Sequence, residues 1–138
     1  MPRVFDMSAF ETSAREFFTT LIREEADLVL DVRLRNTNQL CGFTKKKDLE
    51  YLIPTITGAA YVHDLQLAPS AELLGAYQNH DIDWETYKHW YLREMDQAKA
   101  RDHFRESYGG YQSVCILGTA TRKRRSHSEA LVELLGNA

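Results

Sequence analysis

The sequence predicts an α/β domain in which a small, mainly parallel sheet carries helices on both faces. Three observations predict it. Apolar, β-rich segments alternate with segments of helical periodicity, a pattern that favours parallel pairing. The elements read in the order β-α-β-α-β-α-α-β-α. The clearest strand, "DLVLDV" at Asp27 to Val32, is apolar in a continuous run rather than in alternation, as a strand buried on both faces is. The layering expected is Rossmann-like or flavodoxin-like.

Each element has its own signal. "RVFDM", Arg3 to Met7, reads as the first strand. A helix starts at Ser13, which with Glu16 fits a capping box, and Phe17, Phe18, Leu21 and Ile22 recur at helical spacing. After the Asp27–Val32 strand, "TKKKDLEYLI" reads as a helix with Thr44 as N-cap and Leu49, Leu52 and Ile53 on its apolar face. Pro54 should end or kink it, having no N–H to donate. "AAYVHDL", Ala59 to Leu65, reads as the third strand, and Pro69-Ser70 opens a short helix with Leu73, Leu74 and Tyr77 on one side. A long helix runs from about Asp83, with Trp84, Tyr87, Tyr91, Met95 and Ala98 in one stripe. That stripe reads as a core-facing surface, with an aromatic ligand box as the alternative. Gly109-Gly110 makes a turn, and "SVCILG", Ser113 to Gly118, is the last strand. The last helix starts at Ser126, with Glu129 completing a second capping box, and ends at Gly136.

Size and composition bound the function. The 138 residues, 43% hydrophobic and 27% charged, suit one domain over residues 1–138. No apolar run approaches the roughly 20 residues of a membrane span, and the N-terminal segment shows no signal-peptide pattern. Cys41 and Cys115 have neither the number nor the spacing of a disulfide framework or a zinc site. They read as free thiols in a cytoplasmic protein, and no metal site is read. The net charge of −3 does not favour nucleic acid in bulk.

Ligands of open parallel sheets bind beyond the carboxyl ends of the strands. Applied strand by strand, that rule gathers Ser8; Asp31, Arg33, Arg35 and the amide-rich Asn36 to Gln39; His63 and Asp64; and Gly118, Thr119 and the loop to Ser126. Asp31 and Arg33 lie two apart and share a strand face, so they could form a charge-assisted pair that shapes a pocket or only orders a loop. His63 is a candidate general base or a satisfied core histidine; Asp64 should face the other way. Arg122 to Arg125 precede a capped helix N-terminus, where N–H groups and the dipole favour anions; the alternative is a solvated loop. Ser126 reads as an N-cap, and His127 faces either pocket or water. No Walker loop, GxGxxG or HExxH is present.

The stretches "DVRLRNTNQLCGFTKKKDLEYL" (31–52), "YVHDLQLAPSAELL" (61–74) and "DWETYKHWYL" (83–92) resemble the bacterial and archaeal family of domain-of-unknown-function 488. The resemblance covers nearly the whole chain and implies a compact α/β domain, without an established activity. It also marks a departure. Family members read Cys-x-Glu after the last strand and Cys-His-Arg at the last helix, where this chain has Gly118 and Ala120, then Ser126, His127 and Ser128. Of those positions only the histidine matches.

Three functions follow as expectations. The first is a binding domain or enzyme for a small anionic ligand, phosphate or nucleotide, with His127 and Asp31 as catalytic candidates and Arg33, Arg35, His63, Gln39 and Ser126 as binding residues; its cofactor is unknown. The second is a nucleic-acid or protein-interaction module using Arg122–Arg125 and exposed tyrosines, which ranks behind the first. The third is a family member that keeps the fold without the chemistry. The tyrosine and tryptophan content would also suit a homodimer. No membrane partner is expected.

Overall fold

The computed structural model describes residues 2–136, with the backbone alone at positions 39 and 40. The elements are β1 (Arg3–Ser8), α1 (Ala14–Arg23), β2 (Leu28–Asp31), α2 (Lys46–Thr57), β3 (Ala60–His63), α3 (Ala71–Gln78), α4 (Trp84–Gln97), α5 (Ala100–Tyr108), β4 (Ser113–Gly118) and α6 (His127–Gly136). Short 3-10 turns cover Gln39–Thr44 and Leu65–Leu67. The strands form one parallel sheet in the order β1-β4-β2-β3. No helix among the described residues is long and apolar enough to cross a membrane.

The sheet separates two apolar layers. Phe17, Phe18 and Leu21 of α1 and Leu49 and Ile53 of α2 pack with Val29, Cys115 and Leu117 on one face. Tyr91 and Met95 of α4, Phe104 of α5 and Leu131 and Leu135 of α6 pack with Leu28, Leu30, Val114 and Ile116 on the other. Alternate residues of β2 and β4 thus serve opposite layers, and every residue of both strands is buried. The unbroken apolar run has this cause: with helices on both sides, neither strand face meets water.

Register brings the strand ends together. Ser8 pairs with Gly118, Asp31 with both Leu117 and His63. Beyond that line the chain diverges. β1 and β2 lead into α1 and α2 on one face, whereas β4, inserted between them, leads into α6 on the other. Adjacent strands whose loops leave to opposite sides open a crevice at the sheet's carboxyl edge.

Several local expectations change. The long helix from Asp83 is two helices. Lys99 adopts a left-handed backbone (φ 53°, ψ 48°) between α4 and α5, which leaves Ala98 exposed and buries Ala100 instead. The bend lets Phe104 and Tyr108 join the layer begun by Tyr91 and Met95. Pro54 does not end α2, which continues to Thr57. A proline one turn from a C-terminus costs a single backbone bond, and Gly58, at φ 77°, closes the helix by donating to the Pro54 carbonyl. Thr44 is not the N-cap of α2; Lys45 is. The Thr44 hydroxyl is buried instead, within hydrogen-bond distance of the Ala9 and Cys41 carbonyls. Ile22 turns outward, 56% exposed, while Phe17, Phe18 and Leu21 are buried.

A non-glycine residue in the left-handed region is strained by about 1 kcal/mol or more. Replacing Lys99 with glycine, at a site exposed to solvent, should raise unfolding free energy by about 0.5–1 kcal/mol. Urea denaturation of Lys99→Gly beside the parent measures it; a lower midpoint would show that the bend is not strained.

Candidate functional site

The cleft is organised from the end of β2. Asp31 and Arg33, 0% and 1% exposed, make a two-point ion pair: Arg33 Nε donates to Asp31 Oδ1 at 2.9 Å and Nη2 to Oδ2 at 2.7 Å. The Arg33 backbone N–H also donates to Oδ1. Oδ2 further accepts from the Tyr61 hydroxyl at 2.6 Å and from Asn36 Nδ2 at 3.1 Å. Burial alone would raise the Asp31 carboxyl; the guanidinium, with Tyr61 and Asn36, outweighs it and holds the carboxyl below its ordinary range. Arg33 in turn is pulled upward by Asp31 against its own burial, and burial and Asp31 together push the Tyr61 phenol far up. Nη2 of Arg33 also donates to the Thr44 carbonyl at 2.6 Å. Its Nη1 lies 3.8 Å from Cys41 Sγ.

Two histidines are anchored on the same segment. His63 donates from Nε2 to the Arg33 carbonyl at 2.7 Å. His127 donates from Nε2 to the Val32 carbonyl, also at 2.7 Å, with its ring edge-on to Tyr91 at 5.1 Å. Burial pulls the His127 imidazole from its ordinary 6.5 to about 4, against smaller opposite pulls from the Val32 bond and Asp31. It is therefore neutral near pH 7, with its proton on Nε2 and a lone pair on Nδ1. That Nδ1 is buried with no hydrogen-bond partner among the described residues.

Beyond β4, Gly118 packs against the hydroxyls of Ser126 and Ser128 so closely that a Cβ would collide with both. Ser126 Oγ accepts from the Thr119 N–H at 3.1 Å and the Ser128 N–H at 3.3 Å. Glu129 Oε2 accepts from the Ser126 N–H at 2.9 Å, and the Glu129 N–H donates to the Ser126 carbonyl. The capping box therefore occupies N–H groups at the α6 N-terminus, which leaves fewer of them for an anion. The loop before it is an ordered tight turn, in which Thr121 and Arg124 exchange backbone hydrogen bonds.

Between these loops lies a cavity of about 610 Å³. Eighteen of the described residues line it, including Arg33, Arg35, Lys123, Arg124 and Arg125, and none of these is Asp or Glu. The chain carries 20 acidic and 17 basic residues, so five cations to no carboxylate reflects sorting rather than composition. The charge of Arg33 is offset by Asp31 behind it, and Arg125 reaches Glu129 at 3.2 Å. α3 and α4 supply the far wall through Tyr77 and Tyr87, stacked at 4.1 Å and 6°. Arg124 lies over the Tyr77 ring at 5.8 Å, and Arg125 over Trp84 at 4.7 Å.

Of the residues proposed from sequence, Arg33, Arg35, Ser126 and His127 line this cavity. Asp31 stands behind it, joined through Arg33. His63 does not line it; it borders a separate depression that Arg35 also touches. The side chain of Gln39 lies outside the described residues. Asp64 faces away from His63, as strand alternation requires, and takes His103 Nε2 at 2.6 Å. Of the basic run, Lys123, Arg124 and Arg125 face the cavity, while Arg122, 92% exposed, points to Glu11. Tyr87 was legible only as core. Its ring is core and the residue lines the cavity, but its hydroxyl is buried with no partner among the described residues. The hint was tyrosine rather than phenylalanine at that position, since a buried phenol needs a partner. Among the described residues, no cluster of three or more His, Cys, Asp or Glu could hold a metal.

Removing one partner of a buried ion pair costs about 3–5 kcal/mol. Asp31→Asn should lose that much stability, read by chemical denaturation; a loss near that of an exposed pair would show that Arg33 finds another partner. His127 supplies a pH signature. Its folded pKa of about 4 lies below the unfolded 6.5, so the unfolded chain binds the extra proton. Stability is then full above pH 6.5 and declines as pH falls towards 4, by roughly 3 kcal/mol in all. His127→Gln should flatten that decline, and an unchanged profile would assign it to other groups.

A family model described as "Domain of unknown function DUF488" matches residues 13–135, and the chain belongs to that family. No curated protein and no solved structure matches it.

Proposed function

We propose that this DUF488 domain binds a small oxyanion-bearing molecule, with phosphate as the simplest case, in the crevice between the loops after β2 and β4. The observation that carries the reading is the sorting of charge: five cations and no carboxylate among the described residues around one cavity, in a chain of net charge −3. A concave site lined by one sign of charge focuses the field on an ion of the other. Guanidinium groups recognise phosphate and carboxylate oxygens in pairs.

The roles differ from residue to residue. Arg35, Lys123 and Arg124 supply attraction. Arg33 presents its Nη1 edge, held still by Asp31 and Thr44. Asp31 is assigned to fixing Arg33 rather than to acid–base chemistry, because both its oxygens already accept hydrogen bonds. Ser126 caps α6 and positions His127. Since the capping box occupies N–H groups at the α6 N-terminus, affinity rests on side-chain cations, with the helix dipole adding to them. The division of the basic run, three residues inward and Arg122 outward, favours a small ligand over a nucleic-acid backbone.

Titration calorimetry with inorganic phosphate at low salt tests this reading. Binding should weaken as salt rises, and Lys123→Ala and Arg124→Ala should each weaken it about tenfold, the value of one hydrogen bond to a charged group. Arg122→Ala should leave it unchanged. No heat of binding, or an equal loss in Arg122→Ala, rejects the site.

A further inference from the structure

We infer that the ligand is a hydroxyl-bearing phosphate or carboxylate of the sugar or polyol type, its hydroxyls read by His127 and Tyr87, and not a nucleotide held by its base. This rests on the proposed anion site and specifies the other end of its ligand.

Two buried polar atoms without partners among the described residues, His127 Nδ1 and the Tyr87 hydroxyl, belong to residues lining the same cavity. Those residues are 2% and 1% exposed. Buried polar groups of proteins are paired as a rule, and an unpaired one calls for an explanation. The Nε2 proton of His127 is committed to the Val32 carbonyl, so Nδ1 offers a lone pair. A fully ionised oxyanion presents only lone pairs and cannot bond to it. The group that fits is a donor, a hydroxyl or an N–H. The Tyr87 hydroxyl both donates and accepts, as a second ligand hydroxyl requires. The low pKa of the buried imidazole, about 4, agrees with a neutral acceptor there.

The aromatic wall argues against a nucleobase. Sequence-tolerant base binding needs an open ring face on which the base stacks. One face of Tyr77 is covered by Tyr87 at 4.1 Å, and Arg124 sits over the ring. Trp84 carries Arg125 over its ring at 4.7 Å. These two rings present guanidinium groups rather than open faces to a base.

The test is calorimetry on the whole chain with inorganic phosphate, ribose 5-phosphate and adenosine monophosphate. Three proteins are compared: the parent, Tyr87→Phe and His127→Gln. Glutamine keeps a donor for the Val32 carbonyl and removes the acceptor at the δ position. Tyr87→Phe removes a hydroxyl that bonds nothing else among the described residues, so it supplies a folded variant should His127→Gln fail to fold. Ribose 5-phosphate should bind roughly a hundredfold tighter than phosphate, about tenfold for each of the two hydrogen bonds, and each variant should lower that ratio by roughly tenfold. The adenine should add nothing to the ribose phosphate. Phosphate binding with no gain for ribose 5-phosphate, ratios unchanged in both variants, or a clear gain from adenine overturns the inference while the anion site stands. Failure of phosphate itself to bind overturns both.

Discussion

The buried pair of Asp31 and Arg33 is the interaction on which the cleft depends. Two charges withdrawn from water are costly unless every lone pair and proton is answered. Here Asp31 accepts from Arg33, Tyr61 and Asn36, and Arg33 reaches on to Thr44. Those partners come from β3, from the loop after β2 and from the turn before α2. One ion pair thus fixes the path of the chain from Asp31 to Lys46. The intervening carbonyls are used as well: Val32 accepts from His127 and Arg33 from His63. The segment is a junction at which β3, α6 and the β2 loop are held in register.

Topology decides what that junction faces. Because β4 is inserted between β1 and β2 and leads to the opposite layer, its loop stands across the crevice from Arg33 rather than beside it. A glycine at 118 lets Ser126 and Ser128 close against the strand end, and that contact sets the start of α6. The tight turn at Thr121–Arg124 then directs Lys123, Arg124 and Arg125 into the cavity. Neutral His127 fits this setting, since an imidazolium would add a second buried positive charge, after Arg33, to the lining of the cavity.

Much of the architecture was legible in the sequence. The apolar runs of β2 and β4, the capping residues Ser13 and Ser126, and the alternation of strand and helix report local burial and local hydrogen bonding, which neighbouring residues largely determine. The same local reading failed at Lys99, where a bend that seats Phe104 and Tyr108 on the core outweighs helical periodicity. At Pro54 a single lost bond near the helix end did not stop the helix. Asp31 and Arg33 were identifiable as a pair because residues two apart on extended backbone share a face, and the chain stays extended just past the end of β2.

What the sequence by itself determined is therefore the parallel α/β class, the charge at the strand ends and the basic turn before the last helix. Only the tertiary structure decided that β4 lies between β1 and β2, that His127 and not His63 lines the cavity, and that Tyr87 lines it too. The reason is physical. Periodicity records how much of a residue is buried, whereas strand order and the partners of a buried polar atom are set by contacts between segments far apart in the chain, whose energies no local pattern contains.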